Sequence, residues 1–88
     1  METRIRLADD TVIEGGECGY AEGSLWCYFS GCSLQDAANL FFDKSKTQTI
    51  RFEYGEMADV YEGFTDCVAF NLNTDGKISV CLHREVIE

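Results

Sequence analysis

The sequence predicts an α+β fold. It should form one small domain over residues 1–88, with a mostly antiparallel sheet of five to six strands, hairpins at both ends, and one α-helix packed on one face. Three observations carry that prediction. Residues 4–14 and residues 68–82 each set apolar residues that can pair across a centre of turn-forming residues, and a single helix-start signal stands at Ser33.

In RIRLADDTVIE, Ile5 and Leu7 alternate with arginines, and Val12 and Ile13 resume the apolar pattern after Ala8-Asp9-Asp10. A three-residue turn with Asp10 in the left-handed conformation sets Leu7 opposite Thr11, Ile5 opposite Ile13 and Arg4 opposite Glu14. One face is then apolar and the other carries an opposite-charge pair. A Gly-rich passage, GGECGYAEG, leads into SLWCYFS, a strand with Leu25, Cys27 and Phe29 on one face and Trp26 and Tyr28 on the other.

The helix is expected from about Ser33 to Phe42. Ser33 can cap it, Asp36 completes an S-x-x-D box, and Leu34, Ala37, Ala38 and Phe41 recur at helical spacing, with Leu34, Ala38 and Phe41 reaching the sheet. DKSKTQ then releases the chain into TIRFEY, in which Ile50, Phe52 and Tyr54 alternate with Arg51 and Glu53. That pattern is a strand with one wet face.

NLNTDGKISV admits two readings. Asn71, Asn73, Asp75 and Gly76 match early positions of a calcium-binding loop, but the twelfth position, which should be a bidentate glutamate, is Leu82. As a hairpin, Thr74-Asp75-Gly76 form a three-residue loop, Asn73 pairs with Lys77, and Leu72, Phe70 and Val68 meet Ile78, Val80 and Leu82. All six apolar residues fall on one face, so the hairpin reading is preferred.

Composition narrows the function. Sixteen acidic against seven basic side chains give a net charge of −9, the wrong sign for holding nucleic-acid phosphates, so direct DNA or RNA binding is not expected. No apolar run approaches the roughly 18 residues of a membrane span, and METRIRLADD lacks the apolar centre of a secretion signal; a soluble, cytoplasmic protein is expected. Five cysteines, an odd number in no zinc-binding or C-x-x-C spacing, are read as packed thiols.

One face concentrates metal-ligating residue types. The hairpin register sets Cys67 opposite His83 with Cys81 diagonal to it, a possible thiolate–imidazole set, although the plainer reading is a half-buried sheet face. No cofactor or metal is expected. With one His and no phosphate-binding, nucleophile-elbow or zinc-protease motif, no enzyme is expected either.

The strongest interaction signal is EYGEMADVYEGFTD. Glu53, Glu56, Asp59, Glu62 and Asp66 occur there without a Lys or Arg, interleaved with Tyr54, Met57, Tyr61 and Phe64. Rings and a thioether supply buried area, and carboxylates steer toward a basic partner. If the whole stretch is extended, successive carboxylates point to opposite faces, and Glu53 with Asp59 would not share a row with Glu56 and Glu62.

In size, acidity and lack of catalytic motifs the chain resembles in type the small phage-encoded proteins that block host nucleic-acid machinery, inhibitors of CRISPR nucleases among them, without aligned residues carrying the likeness. The likeness implies a non-enzymatic binding protein that occupies the basic groove of a larger nucleic-acid-binding protein. Two other readings are a structural or assembly component of a phage particle or homo-oligomer, and a sponge for a small ligand.

Overall fold

The computed structural model describes residues 2–84 and contains eight strands and two short helices. The strands are β1 (Thr3–Arg6), β2 (Val12–Glu14), β3 (Glu17–Ala21), β4 (Ser24–Phe29), β5 (Thr49–Tyr54), β6 (Met57–Glu62), β7 (Asp66–Leu72) and β8 (Ile78–His83). Between β4 and β5 lie α1 (Leu34–Phe41) and α2 (Lys44–Thr47). The expected single sheet is in fact two antiparallel four-stranded sheets, ordered β2-β1-β5-β6 and β3-β4-β8-β7. Each combines one hairpin from either half of the chain.

The two sheets share one core. Ile5, Ile13 and Ile50 from the first sheet and Leu25, Cys27, Phe29, Val80 and Leu82 from the second belong to the same buried cluster. Gly16, between β2 and β3, makes the close approach possible. A Cβ there would stand 2.5 Å from Ile5 Cδ1 and 3.2 Å from the Tyr28 carbonyl oxygen. From this contact with β1, β3 runs to Tyr20, whose ring stacks on Tyr61 of β6. The strand therefore crosses the first sheet from β1 to its open edge.

The first hairpin has the expected register. Ile5 faces Ile13 and Arg4 faces Glu14. Leu7 N–H donates to the Thr11 carbonyl at 2.9 Å, and Asp10 turns the chain at φ 69°. The last hairpin also closes as expected, with Asn73 N–H donating to Lys77 at 2.8 Å and Gly76 at φ 83°. Leu72 meets Ile78 and Phe70 meets Val80.

Beyond Ala69 the expected register fails. A bulge between Cys67 and Ala69 leaves Val68 unpaired and sets Cys67 opposite Leu82 and Asp66 opposite His83. An extra residue in one strand lets two residues oppose one, so every side chain beyond it changes partner.

The helix begins where its cap requires, with Ser33 Oγ accepting from Asp36 N–H at 3.1 Å. Its contact face is rotated from the expected one. Ala37 and Phe41 are buried and Phe41 stacks on Phe29 at 5.2 Å, while Leu34 is exposed and Ala38 only half-buried. In place of a loop, Asp43 caps the short α2 by accepting from Ser45 N–H at 3.0 Å, and Thr47 is buried beneath it.

Candidate functional site

The acidic stretch folds as a hairpin. Gly55, at φ 60°, and Glu56 form a two-residue turn, so Tyr54 pairs with Met57 and Glu53 with Ala58. A glycine with positive φ at the first turn position matches the twist of the flanking strands. The reversal redistributes the carboxylates relative to a continuous strand. Glu53 and Glu62 now share the outer face of the sheet, Asp59 lies on the side of Phe52, and Glu56 sits at the tip.

Glu53 is not a free surface charge. Arg4 Nε is 3.1 Å from its Oε1, and Arg6 Nε and Arg51 Nε lie 3.4 and 3.1 Å from its Oε2, leaving its side chain 13% exposed. β1 lies beside β5 with Arg4 opposite Glu53 and Arg6 opposite Arg51, which brings the three guanidinium groups around one carboxylate. Hydrogen bonds from Arg4 first and Arg6 second pull its pKa down to about 2, against an opposing push from burial.

The remaining carboxylates line an open sheet edge. β6 is the last strand of its sheet; Glu56 at the tip before it and Asp59 and Glu62 along it are exposed and make no ion pair among the described residues. Met57 is 64% and Val60 49% exposed on the same strand. Tyr54 Oη donates to the Asp59 carboxylate at 3.2 and 3.3 Å. Burial first, and the Asp59 charge second, push the phenol pKa values of Tyr54 and Tyr61 up.

Next to this edge is a ring cluster. Tyr61 stacks on Tyr20 at 6.5 Å, and both present edges to Phe64, at 6.2 and 5.7 Å. Arg84 lies 4.7 Å over the Phe64 ring and its Nε donates to the Glu62 carbonyl at 3.1 Å. Phe64 is fully buried, so it supports the edge and offers no contact surface of its own. Asp66 lies apart, on β7 of the other sheet.

Of the expected interaction residues, the fold thus groups Tyr54, Glu56, Met57, Asp59, Tyr61 and Glu62, and separates Glu53, Phe64 and Asp66 from them. Val60 and Tyr20 belong to the surface and were not anticipated. Val60 becomes apparent once the Gly55-Glu56 turn is recognised, because period two then places it outward; Tyr20 requires knowing that β3 crosses to β6.

The bulge also rearranges the thiol–imidazole set. Cys67 faces Leu82 on the inner side, whereas Cys81 pairs with Trp26 on the outer side and His83 Nε2 lies 2.8 Å from Ser24 Oγ. Burial first pushes the Cys67 thiol pKa up, which favours the neutral form. Among the described residues, no three His, Cys, Asp or Glu side chains are grouped to hold a metal. Among the described residues, no helix is long and apolar enough to cross a membrane.

No family model, curated protein or solved structure matches the chain.

Proposed function

We propose that the protein is a small acidic binding protein without catalytic activity that docks the β6 edge on the basic surface of a larger nucleic-acid-binding protein, of which a CRISPR nuclease is one example, and so excludes DNA or RNA. The observation that carries this reading is the combination of three exposed carboxylates outside any ion pair among the described residues, Glu56, Asp59 and Glu62, with exposed Met57 and Val60 along one open sheet edge. Carboxylates supply long-range steering toward a basic groove, and the apolar side chains and unpaired backbone groups supply contact at short range.

The test is competition. A partner captured on the immobilised chain should be released by that partner's own nucleic acid, and the triple variant Glu56→Lys, Asp59→Lys, Glu62→Lys should capture it more slowly and in smaller amount. Capture indifferent to added nucleic acid would refute occupation of a nucleic-acid groove.

Assembly into copies is a second reading, favoured by a different observation. Phe42 packs on Phe70 at 5.3 Å while remaining largely exposed, and Val68 and Leu72 are exposed along the edge strand β7. Sedimentation at rising concentration separates the readings: a persistent monomer removes the second.

A further inference from the structure

We propose that Cys18 and Cys27 form a modification site, a thiol pair that closes to a disulfide across β3 and β4 in the presence of a low-molecular-weight disulfide such as oxidised glutathione. The two are direct partners in the β3–β4 register, and their sulfurs already lie 3.5 Å apart. Opposed residues of an antiparallel pair have Cα atoms about 4.5 to 5.5 Å apart. Disulfides accept about 4.4 to 6.8 Å, so closure needs side-chain rotation and little backbone movement.

Access within the pair is unequal. Cys18 is half-exposed on an edge strand, and Cys27 is fully buried on the neighbouring inner strand. Cys18 is therefore the sulfur an oxidant can reach. The contact with Cys18 first, and burial second, push the Cys27 thiol pKa well up, which favours its protonated form.

Cys67 and Cys81 are poorly placed to compete for Cys27. Cys67 lies on β7, separated from β4 by β8, and two strand spacings of about 4.8 Å exceed disulfide reach. Cys81 pairs with Trp26, so its side chain stands on the opposite side of the sheet.

In the first step the Cys18 thiolate attacks one sulfur of oxidised glutathione, breaks its S–S bond and releases one glutathione thiolate. In the second, the Cys27 sulfur attacks the Cys18 sulfur of the mixed disulfide, forms the intramolecular bond and expels the second glutathione thiolate. The two thiol protons finish on the two released glutathione molecules. Two cysteines are oxidised and one glutathione disulfide is reduced. The product ties β3, which holds Tyr20 against Tyr61, covalently to the inner strand β4.

The experiment incubates the folded, reduced chain in glutathione buffers of graded ratio, followed by intact mass and peptide mapping without reductant. The expected product is about 2 Da lighter, with Cys18 linked to Cys27, and it melts above the reduced form. Cys27→Ser should stop at a glutathione adduct on Cys18, and Cys18→Ser should leave Cys27 unmodified while the chain stays folded. Linkage of Cys18 or Cys27 to Cys32, Cys67 or Cys81, or no linkage at the most oxidising ratio, overturns the proposal. Mapping of the unsubstituted chain decides it even if a serine variant fails to fold.

Discussion

Arg4 and Glu53, forty-nine positions apart in sequence, are direct partners across the β1–β5 ladder, with Nε 3.1 Å from Oε1. Because β1 and β5 come from different halves of the chain, this contact exists only when the first sheet has closed. It predicts an acid limb of stability. The Glu53 carboxyl falls from 4.5 to about 2 on folding, so its contribution is fully present above pH 4.5 and is lost as pH falls through about 2. Denaturant unfolding of the Glu53→Gln variant across that range should show a flatter acid limb than the parent; parallel curves would mean the three arginines do not hold the carboxylate in solution.

Core substitutions should separate the two sides of the last hairpin. Leu82 is fully buried, and Leu82→Ala should cost about 2 to 5 kcal/mol, a large part of the stability of so small a domain. Phe70 packs on Phe42 and is only half-buried, so Phe70→Ala should cost less than a fully buried phenylalanine such as Phe29. Denaturant midpoints for the three variants give the order directly.

Gly16→Ala tests the contact between the sheets. The added methyl group meets Ile5 Cδ1 at 2.5 Å and the Tyr28 carbonyl at 3.2 Å, and the expected cost is about 1 to 3 kcal/mol, as for overpacking elsewhere. Ile5→Val removes the nearer atom. In a double-mutant cycle it should recover part of the loss, and strict additivity would place the clash elsewhere.

Charge reversal should distinguish Glu53 from the rest of the acidic stretch. Lysines at Glu56, Asp59 and Glu62 should leave the melting temperature nearly unchanged while slowing association with a basic partner and flattening its salt dependence. Glu53→Lys brings a fourth cation among Arg4, Arg6 and Arg51 and should destabilise the fold. Melting curves and association rates measured on the same preparations test both outcomes.

The first hairpin and the tip of the last were legible because turn residues and alternation agreed on one register. β3 was not: Glu17–Ala21 leaves nearly every side chain exposed and has Gly19 at its centre, so no apolar alternation marks it. The bulge at Val68 is hidden for the opposite reason, since Cys67, Val68, Ala69 and Phe70 are apolar without a break and any pairing looks acceptable. In the candidate surface, the exposed acids of β6 were visible from composition. The fate of Glu53 depended on arginines brought from β1 by long-range pairing, which no local pattern records.

The interleaved strand order has a consequence for synthesis. Through residue 48, a growing chain can form the β1–β2 and β3–β4 hairpins, but the inner neighbour of each, β5 or β8, has not emerged. Ile5, Leu25 and Cys27, all fully buried at the end, lack the strands that cover them until then. At about 5 to 20 residues per second, the nascent half waits seconds for its complement. Closure then depends on pairings between distant segments, the class that takes about milliseconds to seconds. During that interval the half-made sheets are the form in which the chain is most open to chaperones and to misassociation.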